Sequence, residues 1–189
     1  MPCRNTQPFT EKLQGFLIIE VLISAFLLTI GLVATTVLIS GSLGHSLDTR
    51  DTIIAVELAQ EGVELVRNVR DNNVASGGNG FAAFFTNRKN CRIDYNDPMT
   101  SLDCQNSRPA SSYALQYVGG FYGHFGTGPE RFSRYVYIDY TDAPTGQEKA
   151  LVRSFVFWGG AAVPSPTNTT NCTAQNSCVF TEITLTNWK

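Results

Sequence analysis

The chain is poor in the residues that build most catalytic and metal sites. It has two histidines, His45 and His124, far apart in sequence, and no C-x-x-C pair. A zinc site needs clustered Cys and His ligands, so the sequence calls for no metal and no cofactor. Either histidine could in principle serve a Ser-His-Asp triad. His45 adjoins an apolar run, His124 lies in a glycine-rich stretch, and no G-x-S-x-G accompanies them, which argues against a hydrolase. "DYND" (94–97) and "DYTD" (139–142) cluster oxygens without the EF-hand spacing, and turn-forming Asp and Asn account for both. Basic clusters are missing as well. Fourteen Lys and Arg face sixteen Asp and Glu, for a net charge of −2, whereas a nucleic-acid surface needs concentrated Lys and Arg. No internal repeat is present. The sharpest absence is of charge between Phe16 and Ser40, where Glu20 is the single ionisable side chain.

That segment exceeds the roughly 18 apolar residues that read as a membrane-spanning helix. It is too long for the apolar core of a secretory signal, about 7–15 residues, and no A-x-A follows it. A plain anchor would not keep a carboxylate, which costs about 2.5–3.5 kcal/mol at the centre of a spanning helix and less near its end. Such groups are normally paired and functional.

Beyond the run, "SLDTRDTIIAVELAQEGVELVRNVRDNN" has no proline and ample helix formers. At 100° per residue, Ile54, Leu58, Leu65 and Val69 share one face, flanked by Ala55, Gly62 and Val66. Glu57, Glu61, Glu64 and Arg67 lie opposite. The helix is expected to continue from the apolar run into this amphipathic half. Gly41 and Gly44 mark the place where it would hinge if it broke.

After "DNNVASGGNG", a connector by composition, "FAAFF" reads as a short helix or an apolar plug. Residues 87–112 read as an irregular polar loop. Strand signals follow at 113–118, 131–140, 149–158 and 179–186, with "TDAPTGQE" as a hairpin turn. In "KALVRSFVFW", Val152, Ser154, Val156 and Trp158 form the charge-free face. In "VFTEITLT", Val179, Thr181, Ile183 and Leu185 share a face. A sheet with one apolar face needs a cover, and the stripe from Ile54 to Val69 supplies it. The fold class is therefore α+β: a long N-terminal helix, its first half membrane-spanning and its second half packed on a C-terminal antiparallel sheet. "GGFYGHFGTGPE" is a glycine-rich surface loop, with no following helix to make it a phosphate site.

Of five cysteines, Cys3 precedes the apolar run. Cys91, Cys104, Cys172 and Cys178 follow it in loop-like sequence. An even number in an exported domain reads as disulfides. Three pairings are possible, and loop closure favours the local one, Cys91 with Cys104 and Cys172 with Cys178.

Gly15-Phe16 followed by "LIIEVL" and an uncharged run resembles the N-terminus of the type IV prepilin and pseudopilin family. In that family a dedicated membrane peptidase cuts after the glycine, the new N-terminal aromatic residue is N-methylated, and the fifth mature residue is a glutamate. Gly15, Phe16 and Glu20 match these three features. Leu17 departs from the Thr or Ser of many members, at a tolerant position. The C-terminal "CVFTEITLTNWK" is similar, more weakly, to the end of minor pilin-like chains. The resemblance implies a pilin-like ladle with five parts: a leader (1–15), a membrane or filament-core helix (16–44), an amphipathic half (45–71), a linker and disulfide loop (72–112) and a sheet domain (113–189). It implies no enzyme, but a structural subunit with a prepilin peptidase, other pilin-like subunits and an inner-membrane assembly platform as partners, and membrane lipid before assembly. It also implies a single-pass membrane protein whose globular part is exported, ending extracellular or periplasmic. A membrane-anchored adhesin or binding module is the alternative. Glu20 gains a physical role: cleavage creates an amine at Phe16, and in an apolar setting only registers that pair the two charges are tolerable.

Overall fold

The computed structural model describes residues 14–77, 81–86, 89–97, 102–142 and 147–187, and for residues 14–17, 82 and 83 the backbone alone. The chain forms two compact units, residues 1–49 and 50–189. The helix α1 (Gln14–Ala75) contributes to both. It has no proline and passes through Gly31, Gly41 and Gly44 without leaving helical geometry. It ends at Ala75, beyond the Asp71 expected from sequence.

In the first unit the helix is exposed all round. Its most apolar 18-residue window has a mean hydropathy of 2.4, and none of that window is buried. It is long and apolar enough to cross a membrane by itself.

The second unit is an α+β fold. Its described residues form one seven-stranded antiparallel sheet: β1 (Asn90–Arg92), β2 (Asp103–Gln105), β3 (Ala114–Val118), β4 (Phe121–Gly123), β5 (Glu130–Thr141), β6 (Lys149–Trp158) and β7 (Cys178–Thr186). The long strands β5, β6 and β7 lie side by side in register, with Tyr135 opposite Phe155 and Phe155 opposite Phe180. On its other edge β5 pairs with β3 along Ser133–Glu130 and with β1 along Val136–Tyr137. Residues 87–112, read from sequence as irregular, thus contribute a hairpin to the sheet. The hydrophobic period of a three-residue strand is too short to recognise.

One sheet face lies under α1. Ala55, Leu58, Ala59, Val66 and Val69 are buried there, with Phe132, Val136, Ile138, Val152, Val156 and Leu185 from the strands. Gly62 lets the helix approach: a Cβ at that position would stand 2.3 Å from the Ser154 hydroxyl on β6. The segment "FAAFF" is both a helix, α2 (Phe81–Phe85), and a plug. Phe81, Phe84 and Phe85 are buried in this core, with edge-on ring contacts of 4.9 and 4.8 Å.

The opposite face is not left open, contrary to the single covered face expected. Tyr135, Phe155 and Phe180 stack across it at 5.0 and 5.5 Å. Tyr113 and the Cys172–Cys178 pair complete a second core. The chain after β6 lies over this face, and Tyr135 donates its hydroxyl proton to the Pro164 carbonyl at 2.6 Å. Burial raises the Tyr135 phenol above its ordinary range.

Candidate functional site

Gly15 and Phe16 lie in the first described turn of α1. Glu20 follows Phe16 by four residues, one turn along the same side of the helix. It is exposed, and among the described residues it has no hydrogen bond or ion pair. The three threonines of the run satisfy themselves. Thr29, Thr35 and Thr36 donate to the carbonyls of Phe26, Leu32 and Val33 at 2.8–2.9 Å, which suits an apolar solvent. Glu20 has no comparable local acceptor role. The carboxylate thus stands on an exposed apolar helix one turn beyond Phe16.

The four cysteines beyond the run form two disulfides. Cys91 bonds Cys104 directly across the β1–β2 pair, with Cα atoms 4.0 Å apart. Cys172 bonds Cys178 at 4.8 Å and closes the start of β7. The first bond is buried in the helix-side core and the second in the aromatic core. Arg92 and Arg108 flank the first at Asp103. Burial works against the Asp103 carboxylate, but hydrogen bonds and charge from these two guanidiniums hold it below the ordinary range.

The second unit contains a charge cluster that the sequence does not announce. Arg134, on β5, is fully buried beneath α1. It donates to the carbonyls of Leu58 at 3.2 Å and Ile93 at 2.7 Å. Its guanidinium lies 3.3 Å from Glu61 and 3.5 Å from Asp94. Asp94 accepts from the His124 ring at 2.9 Å and from the His124 backbone N–H at 3.2 Å. The other ring nitrogen of His124 lies 2.9 Å from the Arg134 carbonyl oxygen. Both ring nitrogens therefore face oxygen atoms. Desolvation pushes the Asp94 carboxyl up, but the His124 hydrogen bonds and the Arg134 charge outweigh it and hold Asp94 below the carboxylate range.

His124 was expected in a surface loop and "DYND" as a turn. The turn is present, with Asp94 N–H donating to the Asp97 carboxylate at 2.8 Å, yet its first residue is the anchor of the cluster. His124 itself is nearly sealed, its side chain 3% exposed. Both ring nitrogens are taken up, one by Asp94 and one by the Arg134 carbonyl, so the Asp94–His124 pair ties together the chain next to β1, β4 and β5. A sequence signal existed: Arg134 sits on the apolar face of a strand otherwise made of Phe132, Val136 and Ile138, and a buried arginine demands carboxylate partners. Among the described residues no group of three or more His, Cys, Asp and Glu is placed to hold a metal. Comparison with family models, with curated proteins and with solved structures finds no match to the chain.

Proposed function

We propose that the protein is a non-enzymatic structural subunit of the pilin-like class, a minor pilin or pseudopilin of a type IV pilus, type II secretion or related filament. The carrying observation is Glu20. It is the only charge from Phe16 to Ser40, it lies on an exposed apolar helix, and it follows Gly15-Phe16 at the spacing of the family's processing motif. A prepilin peptidase cuts after Gly15, Phe16 is methylated, and Glu20 pairs with the Phe16 amine of a neighbouring subunit, so that the acid sets assembly register more than it stabilises the helix. Before assembly the helix holds the chain in the inner membrane as a single pass, with residues 50–189 exported. Two disulfides suit an oxidising compartment.

Intact-mass analysis of chain purified from membranes tests the processing. The expected product begins at Phe16 and carries one added methyl group; a chain that retains residues 1–15 overturns the reading. For register, Glu20→Ala is expected to leave membrane insertion intact and abolish filament incorporation. Normal incorporation of that variant would remove the role assigned to Glu20.

The alternative, a membrane-anchored adhesin or binding module, draws support from the exposed rings of Tyr95, Tyr117, Phe121 and Phe125. The same mass measurement separates the two, because a plain anchor keeps its leader.

A further inference from the structure

The β3–β4 hairpin turns at Gly119-Gly120, both at positive φ (62° and 92°), as a tight two-residue connection requires. It carries Phe121 and Tyr122 toward Tyr95. Tyr95 and Phe121 lie 4.9 Å apart centre to centre, and Tyr122 packs on Tyr117 at 4.9 Å. Phe121 remains 58% exposed and Tyr95 42%. Together with Glu61 and Leu65 of α1, Tyr95, Phe121 and Tyr122 line an open groove of about 380 Å³. A contiguous aromatic patch of this kind is costly to leave in water and marks a contact site.

Charge identifies the contact. Glu61 is 37% exposed although its Oε2 lies 3.3 Å from the buried Arg134 guanidinium. Glu57 and Glu64 continue the same side of the helix, and Asp97 shares a turn with Tyr95. The nearby cations are already engaged, Arg67 with Glu64, Arg131 with Asp51, and buried Arg134 with both Asp94 and Glu61, which leaves Glu57 and Asp97 as excess negative charge on this side. An anion would be repelled from this rim, and a purely apolar occupant would desolvate Glu61 without replacing its water. A cation on an aliphatic stem satisfies every wall, with its charge against ring faces and carboxylate and its methylenes on Leu65.

We infer that this groove binds a lysine or arginine side chain presented by a partner protein. The inference uses only residues of the second unit and does not rest on the filament reading.

The test titrates the full chain, in maltoside micelles, with three probes while following the ring resonances of Tyr95 and Tyr122. N-acetyl-lysine amide is expected to shift both signals saturably. N-acetyl-norleucine amide, with the same stem and no charge, is expected to bind about tenfold more weakly. Phosphocholine distinguishes a lipid headgroup from a protein side chain and is expected to move neither signal. Glu61→Gln and Phe121→Ala should each weaken lysine-amide binding about tenfold. Phe121 is exposed, so its variant should keep the melting temperature even if Glu61→Gln disturbs Arg134. Equal binding of the norleucine probe, failure of the lysine probe, or a response to phosphocholine alone each overturns the inference.

Discussion

At the scale of single residues, Arg134 has the most demanding position in the folded unit. A fully buried guanidinium is tolerated because four acceptors converge on it from two segments: the Leu58 carbonyl and Glu61 on α1, and the Ile93 carbonyl and Asp94 after β1. Removing one partner leaves the charge under-compensated. Asp94→Asn is therefore expected to cost about 3 kcal/mol or more in urea unfolding at neutral pH. The pH dependence has a definite sign. The folded carboxyl of Asp94 is depressed below the unfolded value of about 3.9. Its contribution is thus complete above that value and is lost as pH falls below about 4 through the folded pKa. Melting temperatures between pH 7 and pH 3 should drop in the native protein, and Asp94→Asn should flatten the acid limb. An unchanged acid limb in the variant would remove Asp94 from the account.

Between helix and sheet, close packing is set by one missing Cβ. Gly62→Ala would gain up to about 1 kcal/mol of helix propensity. It also drives a methyl group to 2.3 Å from the Ser154 hydroxyl and 3.2 Å from its Cβ. Overpacking of this kind costs about 1–3 kcal/mol, so net destabilisation is expected by thermal melting. Among the described residues the buried Ser154 hydroxyl has no hydrogen-bond partner. Ser154→Ala alone should therefore be neutral or slightly stabilising, and it should recover part of the loss when combined with Gly62→Ala. A double-mutant cycle with no coupling would contradict this contact. The plug helix α2 behaves as core. Phe85 is fully buried, and Phe85→Ala should cost about 3–5 kcal/mol. Among the covalent links, Cys91–Cys104 closes 13 residues and Cys172–Cys178 closes 6. Loss of the first, by paired Ala substitution, should be the more destabilising, at about 3 kcal/mol, because the longer loop frees more chain on unfolding.

For the whole molecule, the division at residue 50 separates an exposed apolar helix from a packed unit. All the buried hydrophobic side chains described lie from Ala55 onward, whereas the large apolar residues from Ile18 to Leu47 are exposed. A fragment of residues 46–189, with Ser46 available as a helix N-cap, is expected to be soluble without detergent. It should melt in one cooperative transition near the temperature of the full chain. A fragment that fails to fold would show that the second unit needs the apolar helix.

The sequence by itself determined what repeats locally. An uncharged run broken only by Glu20 declares a helix, and the 3.6-residue stripe from Ile54 to Val69 and the two-residue alternation of β6 and β7 each declare an element and the face it turns to the helix–sheet core. From these alone the α+β class follows. The tertiary structure decided what depends on distant residues meeting. Short strands such as β1, β2 and β4 carry no period of their own and become strands only by pairing with longer neighbours. The second core exists because the chain after β6 returns over Tyr135 and Phe155, which a strand pattern does not encode. Likewise Asp94 and His124, 30 residues apart, read as loop residues until the fold places both against Arg134. Burial then turns ordinary polar side chains into an obligatory network, since in low dielectric each charge needs its partner.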